Sequence, residues 1–238
     1  MKSLAASLGQ NISISSLAYL LIAILGIARS ALLTKTLGIE SFGMLLLVLN
    51  CISVFFLIFS LKLNDLSYRL LTDKGLRNII TENSIIFVLF ILSALQALSL
   101  YLAALILYPV MLSGLFDSQL LESEIRLYLL AIPFMSFEGF LTVVLRLNNQ
   151  YVAILWPRVF GVSVSVLIIL ASSYMGLLNI KMALYAFLAM LAVQTIIPFL
   201  SVLRIFINNR PCLADYYLGI AKYRDVWRSV KYALLGTS

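Results

Sequence analysis

The sequence predicts an all-α integral membrane protein built as a bundle of six transmembrane helices. Three observations predict it. Of 238 residues, 63% are hydrophobic and 11% charged, and the mean hydropathy is +1.06, more apolar surface than a soluble domain of this length can bury. The apolar residues fall in continuous runs of about 20, the length a helix rising ~1.5 Å per residue needs to cross a hydrocarbon core roughly 30 Å thick. The runs also lack the alternation over about 10 residues that barrel strands would show.

The first span is expected over Ile12–Leu33, with Asn11, Ser15, Ala18, Gly26 and Arg29 near one face. Lys2 is the only early cation and no small-residue cleavage site interrupts the run, so this span is expected to be retained rather than removed as a signal peptide. The second span, Phe42–Leu61, is uncharged and holds Asn50, Cys51 and Ser53 near its middle. Lys62, Arg69, Lys74 and Arg77 then crowd a connection that also contains Asp65 and Asp73. The third span runs from Ser84 to Tyr108, ends before Pro109, and carries Gln96 deep inside.

The connection from Pro109 to Glu124 has no Lys or Arg. A fourth span, Ile125–Leu145, contains Glu138 and also Pro133, whose missing N–H should kink it. Residues from Arg146 to Arg158 read as a polar connection. The fifth span, Val159–Leu178, puts Gly161, Ser165 and Ser172 on one face, a pattern that lets helices approach closely. Lys181 sits in the turn before the sixth span, Met182–Leu203, which carries Gln194, Thr195 and Pro198.

From residue 204 to residue 238 the apolar density falls. Leu213, Tyr216, Ile220, Tyr223, Trp227, Val230 and Leu234 recur in steps of three and four among Arg210, Lys222, Arg224, Arg228 and Lys231. This is a basic amphipathic segment expected to lie in the membrane interface. With the N-terminus cytoplasmic, 13 of the 17 cations fall on the inner side, leaving Arg29, Lys35, Arg126 and Lys181 outside or at the outer edge. The positive-inside bias therefore expects both termini in the cytoplasm.

Chemistry that needs histidine is excluded, because the chain has none. Cys51 lies in a span and Cys212 in the basic tail, so neither a disulfide framework nor metal-ligand spacing is present, and no cofactor is expected.

The block from Arg29 to Gly43 ends one run and starts the next. An arginine closing a first span, then Leu37-Gly38, Glu40 and Phe42-Gly43, resembles the N-terminal signature of the bacterial polysaccharide exporters. These are the O-antigen and exopolysaccharide flippases of the multidrug/oligosaccharidyl-lipid/polysaccharide exporter superfamily. Residues Phe59 to Arg69 and Trp227 to Leu235 add weaker similarity. The resemblance implies one lobe of a twelve-to-fourteen-helix exporter, in the bacterial inner membrane. It also implies a cargo of lipid-linked oligosaccharide diphosphate moved by alternating access in a cleft between two lobes. Only one lobe is present, so the resemblance calls for a second copy, another polypeptide supplying the second half, or a truncated, inactive product.

Arg29 is the first candidate for cargo contact. Placed about one turn inside the membrane, a guanidinium must face water or an anion, and its planar fork suits phosphate oxygens. The alternative is that it snorkels to the outer headgroups and sets topology. Glu138 is the ion-coupling candidate, because a carboxyl group in low dielectric can load and unload a cation; the alternative is a structural hydrogen bond to Thr142 or another helix. Asn50 and Gln96 are further cavity candidates, and with Gln194 they also fit interhelical hydrogen bonds. The basic connection of Lys62 to Arg77 fits contact with anionic membrane lipid.

Four functional classes follow. The first is transport of a lipid-linked glycan for O-antigen, lipopolysaccharide or other polysaccharide synthesis. A membrane enzyme is disfavoured, since the outer connection from Pro109 to Glu124 is short and has no cation. A cation-coupled drug exporter has Glu138 alone in its support, and a non-transporting half or scaffold subunit is the fourth. Nothing in the sequence points to nucleic acid.

Overall fold

A computed structural model describes residues 2–60, 82–115 and 122–208. Among the described residues six helical elements follow one another, the first of them kinked: α1 Lys2–Phe59, α2 Glu82–Leu115, α3 Glu122–Tyr128, α4 Ala131–Leu147, α5 Tyr151–Tyr174 and α6 Ile180–Asn208. No strand occurs among the described residues. Among the described residues five stretches are long and apolar enough to cross a membrane: Ser15–Phe59, Ile86–Pro109, Glu122–Leu147, Tyr151–Tyr174 and Ile180–Ile205. This is an α-helical membrane bundle, as the composition requires.

The expected first and second spans are two helices that meet directly at Gly38, with no loop between them. The reason lies in residues 34–41: Thr34 and Thr36 turn their hydroxyls back onto the carbonyls of Ser30 and Leu32 at 2.8 and 2.7 Å, which keeps polar side chains satisfied within a helix. The direction changes at Gly38, with φ 81° and ψ 164°. Ser15–Phe59 covers 45 residues, and Gly38 divides it into arms of about 20, one crossing length each. Leu45, Val48, Ile52 and Phe55 form the buried stripe of the second arm.

A side chain at Gly38 would meet no atom within 4 Å, so its requirement for glycine is conformational alone. Gly38→Ala should lower stability by about 1–3 kcal/mol through backbone strain, whereas Gly43→Ala, equally unobstructed, should leave it unchanged or raise it by up to ~1 kcal/mol. Equilibrium unfolding of the two variants in the same mixed micelle checks this; equal losses would remove the bend as the cause.

Three further boundaries differ from expectation. α2 runs through Pro109 to Leu115, so the proline bends a helix rather than ending one. The fourth span is interrupted: α3 stops at Tyr128, Leu129 and Leu130 form a turn, and α4 starts at Ala131. Pro133 supplies the cause, because it offers no N–H to the carbonyl of Leu129, which instead accepts from Ile132 at 3.0 Å. Finally, the polar connection expected from Arg146 to Arg158 shrinks to Asn148–Gln150, because Asn149 takes a positive φ of 56° that turns the chain at once into α5. Arg158 therefore lies inside a helix, about 10 Å from its start at ~1.5 Å per residue.

α5 ends at Tyr174, and Gly176 just beyond it, φ 67°, makes the turn that lets the Leu177 N–H reach the Ser172 carbonyl at 2.9 Å. The Asn179 side chain then caps α6 by accepting from the Met182 N–H at 2.8 Å. These two devices fold α6 back antiparallel along α5, so that Gly161 faces Met190 and Gln194. The first arm of α1 runs parallel to α5, with Ala18 packed by Leu155 and Val159. α2 and α4 are antiparallel: the Phe90 ring lies 5.7 Å from that of Phe137, and Tyr108 meets Glu122. The basic segment expected from residue 204 onward and the Lys62–Arg77 cluster lie almost wholly outside the described residues, α6 itself continuing to Asn208.

Candidate functional site

The facing stripes of α5 and α6 build a polar seam through the middle of the bundle. On α5 the stripe is Arg158, Gly161 and Ser165; on α6 it is Phe187, Met190 and Gln194, each set repeating at three or four residues. A β-carbon at Gly161 would stand 2.8 Å from the Met190 carbonyl oxygen and 2.8 Å from Gln194 Cγ, so only glycine permits this approach. Close contact of this kind is how small residues hold membrane helices together.

The first arm of α1 lays Arg29 onto this seam. Its Nη1 donates to Met190 Sδ at 3.0 Å and to Ser165 Oγ at 3.4 Å, and its Cζ sits 4.3 Å from the centre of the Phe187 ring. These are soft partners. Among the described residues no carboxylate pairs with Arg29, and its Nε is buried without a hydrogen-bond partner. The guanidinium lies about 13 Å from the bend at Gly38, at ~1.5 Å per residue. That is more than the single turn expected, and the side chain faces α5 and α6 within the bundle.

The seam continues about 10 Å further to Arg158. Arg158 Nη2 donates to Glu138 Oε1 at 2.8 Å, with both side chains 31% exposed. Gln194 Nε2 donates to the Arg158 backbone carbonyl at 3.4 Å and ties α6 to the same point. Glu138 is thus the counter-ion of a basic residue, not a carboxyl group standing alone in hydrocarbon. Two guanidiniums face one seam and only that of Arg158 has a carboxylate partner among the described residues, which leaves a net positive charge along it.

The remaining candidates lie elsewhere. Asn50 is exposed on the second arm of α1. Gln96 is only 5% exposed, and its Oε1, like Ser93 Oγ beside it, has no hydrogen-bond partner among the described residues. By the antiparallel register of α2 and α4, Gln96 is level with the break before Pro133, so it does not join Arg29. Sequence reasoning missed Arg158, Met190 and Phe187 as parts of the site, took Gly161 and Ser165 as packing, and read Gln194 first as an interhelical hydrogen bond, which it makes to the Arg158 carbonyl. One signal for Arg158 was available: the Gly161, Ser165, Ser172 stripe, continued one turn toward the N-terminus, arrives at it.

At the opposite end of the bundle a second polar cluster ties α2, α3 and α6. Tyr108 donates to Glu122 at 2.9 Å and accepts from Arg126 at 2.6 Å, while Glu124, only 9% exposed, accepts from Ser123 at 2.8 Å and pairs with Lys181 at 3.9 Å. Each acid here already has its base, so the cluster reads as a clasp holding the helix ends.

No protein-family model, characterised protein or solved structure matches the chain.

Proposed function

We propose that this chain forms one lobe of a carrier that moves an anionic lipid, in the first instance a lipid-linked oligosaccharide diphosphate, across a membrane by alternating access. The carrying observation is Arg29, a guanidinium within an apolar stretch long enough to cross a membrane, which rests on a thioether, a hydroxyl and an aromatic face, with no carboxylate partner among the described residues. Placing a charge there costs several kcal/mol unless an anion or water meets it. A fork of five donors matches the oxygens of a phosphate group.

Arg158 supplies a second guanidinium on the same seam, held by Glu138 until an anion competes for it. The bacterial inner membrane, cytoplasmic termini and a second lobe or second copy forming the opposite wall belong to the same proposal. Coupling to an ion through Glu138 would require the pair with Arg158 to separate during the cycle.

The experiment is complementation of glycan export in cells lacking their own flippase, with and without a co-expressed second half. Arg29→Ala is expected to reduce export at least tenfold at equal membrane abundance, and Arg29→Lys to retain part of it. Normal export by both variants would remove Arg29 from cargo handling.

A further inference from the structure

Between α2, α4 and α6, at the end of the bundle that bears Arg146 and Arg204, lies a cleft of about 160 Å³ walled by Phe87, Phe90, Phe140, Phe199, Val202 and Leu203. No polar atom is exposed on its walls, so a water inside would find none of the two to four partners it needs. The Phe90 ring stands 5.7, 6.4 and 6.1 Å from those of Phe137, Phe140 and Phe199, which makes the inner wall a rigid aromatic surface. Phe87 and Leu203 at its mouth are 39% and 40% exposed. Since Ile86–Pro109 and Ile180–Ile205 are crossing helices, that mouth opens to hydrocarbon.

We propose that this cleft binds one acyl chain of an anionic phospholipid, whose headgroup lies at the level of Arg146 and Arg204. Size favours a chain over a protein partner: the volume holds about five groups of ~30 Å³ each, enough for a stretch of methylenes and far too little for a helix about 10 Å across. Charge sets the headgroup. Arg204 follows Leu203 directly, Arg146 follows Leu145 of the same apolar cluster, both are exposed, and neither forms an ion pair among the described residues. Cations at this depth each favour an anionic lipid by about fivefold. The site does not depend on what cargo the seam carries.

The test uses the full chain in nanodiscs containing phosphatidylglycerol with a photoreactive diazirine midway along one acyl chain. Labelling is expected on the α2 and α6 peptides that contain Phe90 and Phe199, in preference to the strongly exposed Ile27 of α1. Leu203→Trp, which fills the cleft, should cut that labelling at least fivefold. Val202→Phe is the smaller plug if the tryptophan variant does not yield folded protein. Arg146→Gln with Arg204→Gln should leave chain labelling but lower competition by phosphatidylglycerol over phosphatidylcholine about twenty-five-fold. Labelling spread evenly over the lipid-facing surface, or unchanged in a folded plug variant, overturns the site; equal competition by the two lipids against the native chain overturns the headgroup assignment. Recovery of a stoichiometric protein partner on this face with no labelled peptide also overturns it.

Discussion

Arg158→Ala will lower the stability of the folded bundle by about 2–3 kcal/mol, and adding Glu138→Gln will restore most of the loss. The pair spans 2.8 Å between α4 and α5, both side chains two-thirds buried. Removing the guanidinium leaves a carboxylate facing apolar surroundings, and the cost of that orphaned charge exceeds what the intact pair contributed. An amide at position 138 carries no charge and so escapes the cost. Equilibrium unfolding in mixed micelles of the four chains of this double-mutant cycle gives the coupling directly. A double variant as unstable as Arg158→Ala would show that Arg158 matters through its packing, and the ion pair would drop out of the account.

Gly161→Leu will separate α5 from α6, with a loss of about 3 kcal/mol or more. The obstacle is backbone: the first added carbon already meets the Met190 carbonyl oxygen at 2.8 Å, and a carbonyl inside a helix cannot rotate away as a side chain can. Gly161→Ala should cost about 1–3 kcal/mol for the same reason. The effect should reach Arg29, because Ser165 and Met190 hold its guanidinium from the two helices being pried apart. A pair of cysteines at Ser165 and Met190, whose side chains both meet Arg29 Nη1, should cross-link readily in the native background and more slowly with Gly161→Leu added, which would report the separation. Unchanged cross-linking and stability would mean the helices do not pack as closely as described.

Much of the membrane character was legible before any coordinates, since long apolar runs admit few other structures. The interruption near Pro133 was legible too, because a missing N–H acts locally and always against the carbonyl four residues earlier. So was the close approach at Gly161, from spacing alone. The break between the first two spans was legible as well, but its shortness was not: Thr34, Lys35 and Thr36 read as a loop, and only the geometry shows helix reaching Gly38 from both sides, with the two hydroxyls satisfied by their own helix. The polar reading of Arg146 to Arg158 misled in the same way, since all but Asn148–Gln150 of it is helical and Arg158 lies inside α5.

The site was legible in half. A charge within an apolar run announces itself, which brought out Arg29 and Glu138. Its partner does not, because pairing between positions 138 and 158 depends on how α4 turns into α5 at Asn149. Asn50 and Gln96 illustrate the limit from the other side. Both are lone polar residues in apolar runs, yet one is exposed and the other is 5% exposed between helices. Single residues carry no record of the direction they face.

Central to the whole account is an anion meeting Arg29 inside the bundle. The most direct measurement is native mass spectrometry of the purified chain titrated with a short-chain polyprenyl diphosphate, comparing the native protein with Arg29→Ala and Arg29→Lys. The account predicts saturable binding that weakens at least tenfold in Arg29→Ala and is partly kept in Arg29→Lys; equal binding by native and Arg29→Ala proteins would contradict it.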